Sequence, residues 1–310
     1  MADRPILITG AGGFVCSEIA IAFHQAGLPV VATDRYFDPP TLKRLANIPC
    51  LEGDLREVLA DLDEPITAVI HGAALTDPPE RLGLSKVAYS KQNTDLLTRA
   101  LDFACAAGAD RFVFLSSMGV FAPGDGAGDR LTEATRPTAM IPYAEAKRAG
   151  EHAVAAAAKP GFRTASIRLG NVFGAYEARR PSRHRLSLAA RMIADAKRNA
   201  VITVETPDAA REWANLPDLA VGMVRLLQDF PNAGPAILHA GAPPVLTDLE
   251  LANLVAARIP GTDIRIAAPP RTPVRPPMAS DHETPFSAIK WPPMATMLDP
   301  VIAPTPVPTP

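Results

Sequence analysis

Tyr143 and Lys147 stand four residues apart in the stretch Pro142-Tyr143-Ala144-Glu145-Ala146-Lys147. On a helix, that spacing puts both side chains on one face. Pro142 suits a first helical turn, the alanine-rich run from Glu151 to Ala158 continues it, and Lys159-Pro160-Gly161 stops it. A free tyrosine ionises near pH ~10, too high for a base at neutral pH. A neighbouring ammonium favours the phenolate and lowers that value. The pair could then take a proton from an alcohol while a hydride leaves the same carbon. Taken alone, the same spacing describes a solvated helix face, so its meaning rests on the elements that position it.

Those elements begin near the N-terminus. Ile6-Leu7-Ile8-Thr9 reads as a short strand, followed by the turn Gly10-Ala11-Gly12-Gly13. A helical pattern follows, with Ile19, Ala20 and Phe23 on one side and Gly27 at its C′ position. Pro29-Val30-Val31-Ala32-Thr33 is a second strand, ending at Asp34. Strand, glycine-rich turn, helix, strand and acid make a βαβ unit with a dinucleotide fingerprint. Glycines let the backbone approach a pyrophosphate, whose charge meets the helix N-terminus. Asp34 can accept hydrogen bonds from an adenosine ribose. A 2′-phosphate there would meet a like charge, which favours NAD over NADP, and Arg35 directly after it weakens that preference. A third glycine, which normally permits close helix–strand packing, is replaced by Cys16. Cysteine is small and commonly buried, so a modest adjustment is expected there, not loss of binding.

Strands and helices continue to alternate. Ala68-Val69-Ile70 runs into His71-Gly72-Ala73-Ala74, a helix spans about Lys86 to Ala107, Arg111 to Leu115 leads into Ser116-Ser117, and Thr164 to Leu169 follows the tyrosine helix. This alternation predicts an α/β fold, a doubly wound, mostly parallel sheet of Rossmann type covered on both faces. Ligands of such sheets sit at the carboxyl ends of the strands. Gly10, Asp34, His71, Ser117 and Asn171 all fall at or just past such ends.

The bulk composition sets outer bounds. The chain has 310 residues, 47% hydrophobic and 21% charged, as in an ordinary globular protein with room for one or two domains. A formal net charge of -2 gives no electrostatic reason to expect nucleic acid or an anionic membrane as partner. Cys16, Cys50 and Cys105 have neither metal-ligand spacing nor a disulfide framework, so no metal and a reducing compartment are expected. With no signal-type start and no long apolar run, the expected location is cytoplasmic. Proline is abundant, at 33 residues, and the last residues, 301–310, read as an extended Pro-rich tail.

In combination these motifs resemble an extended short-chain dehydrogenase/reductase of the NAD-dependent epimerase/dehydratase family. The resemblance rests on Thr9-Gly10-Ala11-Gly12-Gly13-Phe14-Val15, Gly53-Asp54-Leu55, His71-Gly72-Ala73-Ala74 and Asn93. It continues through Arg111-Phe112-Val113-Phe114 with Ser116-Ser117, Tyr143 with Lys147, and Arg168-Leu169-Gly170-Asn171-Val172-Phe173-Gly174. Ala210-Arg211-Glu212-Trp213-Ala214-Asn215-Leu216-Pro217-Asp218 and, near the end, Asp281 and Lys290-Trp291-Pro292 extend it over nearly the whole chain. The resemblance implies an NAD-binding domain over 1–173, with segments within about 211–241 returning to it. A smaller, C-terminal substrate-binding domain is implied over 174–300.

It also implies roles. Tyr143 is the general acid/base, and Lys147 lowers its pKa and holds the nicotinamide ribose. Ser117, four residues before Phe121, binds the substrate oxygen, with Ser116 as its structural neighbour or the reverse. Asn93 supports the active-site helix. The cofactor lies on Gly10, Gly12, Gly13, Phe14 and Val15, with Asp34 and Arg35 at its ribose, Asp54 and Leu55 at its adenine, and Ala73 and Ala74 beside it. His71 falls in the same motif but reads more as a structural strand-end residue. Phe121-Ala122 replaces the usual Tyr-Gly, which points to a divergent substrate. Met118-Gly119 replaces the acidic pair of family dehydratases, which argues against dehydration.

The substrate side is read from Asn171 onward. Arg179-Arg180-Pro181-Ser182-Arg183-His184-Arg185 is a basic cluster where the family's substrate domain begins. By resemblance Arg211 grips a diphosphate, with Arg275 or Arg271 as a second contact; Asn171, Arg179 and Arg183 complete the expected set. Arginine binds phosphate and carboxylate bidentately, so the expected partner is an anionic sugar or nucleotide sugar. The leading expectation is a nucleotide-sugar epimerase. The alternatives are an NAD-dependent dehydrogenase of a small anionic sugar or sugar acid and, less favoured, a non-catalytic cofactor-binding protein. A homodimer through the tyrosine helix and its neighbour is compatible with the sequence.

Overall fold

The computed structural model describes residues 4–126, 128–180, 183–231, 237–241, 243–269 and 275–304. Arg271 and the tail from 305 onward lie outside these residues. The first half alternates strictly: β1 (Ile6–Thr9), α1 (Phe14–Gln25), β2 (Val30–Asp34), α2 (Pro39–Arg44), β3 (Cys50–Glu52), α3 (Leu55–Asp61), β4 (Ala68–His71), α4 (Lys86–Ala106), β5 (Arg111–Ser117), α5 (Pro142–Ala157) and β6 (Arg163–Leu169). The chain continues through β7 (Asn171–Phe173), α6 (Leu188–Asn199), β8 (Val201–Val204), β9 (Ala210–Asn215), α7 (Leu216–Gln228), β10 (Ile237–His239), β11 (Val245–Thr247), α8 (Asp248–Ala256), β12 (Asp263–Ile266) and α9 (Met294–Ile302).

Seven parallel strands form the main sheet, in the order β10-β6-β5-β4-β1-β2-β3. The fold is thus the expected Rossmann-type doubly wound sheet. The order reverses between β1 and β4, which opens a crevice at their carboxyl ends, where ligands of such sheets bind. β1 and β4 are buried along their whole length, consistent with helices covering both faces. On one face, Ile19, Ala20 and Phe23 of α1 pack with Leu219, Ala220 and Met223 of α7. On the other, Leu97, Ala100 and Leu101 of α4 pack with Phe112, Phe114 and Val154. Helix α7 and strand β10 therefore rejoin the large sheet.

A third core holds the remaining elements together. Met192 and Ile193 of α6, Leu251 and Val255 of α8, and Met297 and Leu298 of α9 meet around Trp213. Here β7, β9 and β11 form a three-stranded sheet and β8 pairs with β12. The tail is shorter than its proline content predicts. Val301 and Ile302 complete α9 and pack on this core, because they continue the apolar face of Met297 and Leu298. Among the described residues, no helix is long and apolar enough to cross a membrane.

The helix that matters most is α5. Pro142 occupies its first turn. Gly150 lets it lie close on β5, since a Cβ there would come 2.7 Å from the Phe114 ring. That approach brings the first turn of α5 against the carboxyl end of β5, where Ser117 begins a short 3₁₀ turn, Met118–Val120.

Candidate active site

A cavity of ≈ 680 Å³ lies over the crevice. The glycine turn, the first turn of α1, Asp34 and Leu55 line one end. Ala73 and Ala74 line its middle, and Ser117, Tyr143, Lys147 and Asn171 its other end. The carboxyl ends of β2 and β5, the segments just past β1, β4 and β6, and the helices α1, α3 and α5 supply them, which is how this topology assembles a site from distant sequence.

At the reactive end, the Ser117 hydroxyl lies beside the Tyr143 phenol, close enough to favour its ionised form. Ser117 Oγ also accepts from Gly119 N at 3.0 Å, which orients it. Ser116 points the other way: it is buried, and its Oγ donates to Glu151 Oε1 at 2.6 Å. Both serines border the cavity, but only the Ser117 hydroxyl is left on the Tyr143 side. Lys147 is buried and its Nζ donates to the Leu115 carbonyl at 2.7 Å. Burial pulls the Lys147 ammonium down to about 8. The expected effect of Lys147 on Tyr143 is not what this geometry gives. Burial pushes the Tyr143 phenol above its ordinary value, and the counteracting pulls come from the neighbouring Ser117 hydroxyl and the Arg183 guanidinium. Lys147 aims its charge at Leu115 O and lies 5.8 Å from the centre of the Tyr143 ring.

Of the other expected residues, His71, Asn93 and Asp54 sit back from the cavity wall. His71 bonds Thr9 through Nδ1 at 2.8 Å and packs against Phe112 and Phe114, so it supports the strand ends instead of lining the cavity. Burial drops its imidazole to about 3, leaving it neutral. Asn93 accepts from Leu75 N at 2.9 Å and donates to Tyr89 O, which fixes the loop after β4 from behind. Asp54 caps α3 and pairs with Arg56 at 2.8 Å; that partner holds its carboxyl at about 2 and turns it away from the cavity. Arg35 lines the rim, largely exposed, 4.0 Å from Asp54.

The substrate set divides as well. Asn171 lines the cavity and donates to Glu212 and Met118. Arg183 lines it too, with a 2.7 Å bond to the buried Glu177. Arg179 is exposed on the outside of its loop, away from the cavity. Arg211 is held bidentately by Asp248, at 2.6 and 3.0 Å, and does not reach the wall. Arg275 donates to the carbonyls of Met118 and Phe121, both at 2.9 Å, and so props the turn behind Ser117. Phe121 carries no information about substrate: it is 1% exposed, wedged between the Arg168 guanidinium and the His239 ring. Arg180 and Arg185 do line the cavity. Both stood in the basic cluster, but a loop without periodicity does not reveal which of its arginines face inward.

Residues 6–241 match the sequence model of the NAD dependent epimerase/dehydratase family. The chain belongs to that family. It is 27% identical over 253 residues to a UDP-glucose 4-epimerase of Azospirillum brasilense, spanning 76% of this chain and 72% of that one. It is 27% identical over 275 residues to a UDP-glucose 4-epimerase of Neisseria meningitidis serogroup C, 80% of each chain. A UDP-glucose 4-epimerase of Thermotoga maritima with UDP-glucose superposes with a TM-score of 0.79 at 18% identity, covering 96% of this chain and 97% of that chain. One from Stenotrophomonas maltophila, with bound NAD and formylated UDP-arabinopyranose, gives 0.78 at 23% identity and 95% coverage of both. These superpositions speak to the fold.

The family's cofactor is NAD, and the cavity fits a dinucleotide. A Cβ on Gly12 would come 2.3 Å from Tyr36 O and 2.9 Å from Asp34 Oδ2, so this floor admits only glycine. No side chain caps the first turn of α1, leaving its N–H groups for an anion. Asp34 accepts from Arg35 N at 2.7 Å and lies against the backbone of Gly12, which braces its carboxylate at the cavity wall. The protein is an NAD-dependent enzyme of the short-chain dehydrogenase/reductase type.

Proposed function

We propose that this enzyme is a nucleotide-sugar epimerase. The observation that carries the reading is that Ser117, Tyr143 and Lys147 line the same cavity as the glycine turn, with the Ser117 hydroxyl beside the Tyr143 phenol. The chemistry that NAD would supply in this cavity is reversible hydride acceptance from the carbon that bears the sugar hydroxyl. Ser117 holds that hydroxyl oxygen, and Tyr143 takes its proton as the hydride leaves. Lys147, fixed by Leu115 O, would hold the nicotinamide ribose. Tyr143 returns the proton once the sugar has presented its other ring face. The likeness to UDP-glucose 4-epimerases over three-quarters of the chain supports a uridine-type diphosphate sugar as substrate. Met118 and Gly119, beside Ser117, carry no acid or base, which disfavours dehydration.

A second reading, net oxidation of a smaller anionic sugar, draws on one observation. Arg211 is occupied by Asp248, and the arginines of the basic cluster that line the cavity are Arg180, Arg183 and Arg185 instead. One experiment separates the two. Each member of a panel of nucleotide sugars and anionic monosaccharides is incubated with enzyme and excess NAD, and followed by reduced-nicotinamide fluorescence and proton NMR. A new sugar isomer without net reduced cofactor supports the epimerase; stoichiometric reduced cofactor with an oxidised sugar replaces it with the dehydrogenase. The proposed homodimer, through α4 and α5, is checked by light scattering. The free cysteines support a reducing, cytoplasmic location.

A further inference from the structure

The segment after β7 belongs by sequence to the substrate half, yet most of its side-chain anchors lie in the cofactor half. Four contacts tie residues 174–180 and 183–187 to elements around the dinucleotide cavity. Tyr176 lies under the Arg44 guanidinium of α2, 4.5 Å from the ring centre, and Arg44 itself pairs with Glu18 of α1. Arg180 pairs with Asp38 at 3.0 Å and donates to Thr41 at 2.7 Å. The Arg183 guanidinium sits 5.6 Å from the Phe14 ring, on the first turn of α1. His184 bonds Asp77, in the loop after β4, through both its backbone N–H and its ring.

The segment is also braced internally. Arg180 and Arg183 exchange backbone hydrogen bonds at 2.9 and 3.0 Å. Glu177, its side chain 2% exposed, accepts from Arg183 and from both the N–H and the hydroxyl of Ser187, the N-cap of α6. Ala178, Arg180, Arg183 and Arg185 line the cavity, so these braces hold part of its wall.

Its best-anchored point is Arg180. The side chain is 9% exposed, and its partner Asp38 is fixed in turn by capping α2 through Thr41 N at 2.7 Å. Arg180 lines the same cavity end as Gly12 and Asp34, where the adenosine part of a dinucleotide belongs. We propose that this segment is a strap over the bound cofactor, with Arg180 on Asp38 and Thr41 as its latch, so that dinucleotide exchange requires the latch to open. Arg180 is then a cofactor-positioning residue supplied by the substrate half. The inference rests on NAD occupying the cavity and not on the epimerase reading.

The test reads cofactor release and not turnover. Full-length enzyme is loaded with reduced NAD, chased with excess NAD, and the loss of bound-cofactor fluorescence is timed. Removing one partner of a well-buried charge pair acts mainly on the off-rate. Arg180→Ala and Asp38→Ala should each release cofactor about 10- to 100-fold faster than wild type. The swapped pair Arg180→Asp with Asp38→Arg should recover much of the loss. Arg180→Met, which keeps the apolar stem, carries the same test if Arg180→Ala does not fold. The cofactor-free melting temperature, measured alongside, registers a merely structural loss. Unchanged release in a folded Arg180 variant would overturn the latch. So would faster release that follows the fall in melting temperature and that the swap does not reverse.

Discussion

The sulfur of Cys16 occupies the space beside Gly72: a Cβ built on Gly72 would lie 2.2 Å from Cys16 Sγ. The glycine missing from the fingerprint is thus compensated across the crevice, on β4's exit loop. Helix α1 keeps its close approach because the facing residue, and not its own, lacks a side chain. Burial pushes the Cys16 thiol to about 12, so it serves as an apolar filler here. Gly72→Ala should destabilise the protein by about 1–3 kcal/mol, the usual cost of overpacking a filled site. Cys16→Gly alone should be tolerated, and the double variant should melt close to the Cys16→Gly single. Melting temperatures of the four proteins close this cycle; additive losses would mean that the two residues do not share the space.

Tyr143→Phe removes the proton carrier and leaves the ring. Turnover should fall by about 10²- to 10⁴-fold, the range for a lost general acid/base. NAD affinity should persist, because the glycine turn and Asp34 are untouched. Ser117→Ala should reduce kcat less severely, since Tyr143 retains its own reach to the substrate oxygen. Single-turnover kinetics with calorimetric NAD binding checks both. A Tyr143→Phe enzyme at wild-type rate would remove Tyr143 from the mechanism.

The sheet and the cofactor end were legible because their signals are local. Buried parallel strands read as short apolar runs, and a turn that contacts phosphate must be glycine-rich whatever surrounds it. Tyr143 and Lys147 are fixed by helical spacing alone. The fate of the arginines was not legible. Arg211 meets Asp248, 37 positions later, and Arg275 meets carbonyls more than 150 positions earlier. Such partners are set by tertiary packing, and a charge in a loop has no period to show which way it faces. Arg179 and Arg180 differ by one position, yet one is solvated and the other is locked onto α2. Phe121 misled for a related reason: a substitution near the site reads as substrate-facing, although this ring is part of the wall behind Ser117.

Lys147 should leave a signature in the pH dependence of stability. Its folded pKa, about 8, lies below the ordinary value of 10.5 because of burial. Below pH 8 the folded protein carries the desolvated charge at a cost. Between about 8 and 10.5 the unfolded chain binds the proton and the folded chain does not, so this group's contribution to stability rises with pH there. The slope is at most about 1.4 kcal/mol per pH unit. Lys147→Met should lack this component, so wild type should gain on the variant as pH rises through that window. Denaturant unfolding of cofactor-free protein across pH checks the sign. His71 acts at the other end: buried neutral, it makes stability fall as pH drops from 6.5 towards 3, and His71→Asn should flatten that limb.

Glu151 lies one turn beyond Lys147 on α5, and its carboxylate receives Arg168 Nε and Nη2, both at 2.8 Å, together with Ser116 Oγ. Both charged side chains are 3% exposed. The triad joins α5 to β5 and β6 and fixes the rotation of the helix that presents Tyr143. Removing one charge strands the other in the core, a loss of about 3–5 kcal/mol. Glu151→Gln should therefore unfold at much lower denaturant than wild type, although it preserves shape. Replacing both residues, Glu151→Leu with Arg168→Met, removes the stranded charge and should recover most of that stability. Recovery of activity need not follow. An apolar pair packs without a set direction, while the fork of Arg168 holds α5 at one angle. If the double variant regains its midpoint but keeps a reduced kcat with KM near wild type, the pair aligns Tyr143 as well as stabilising the core. If kcat returns with the midpoint, the pair contributes stability alone.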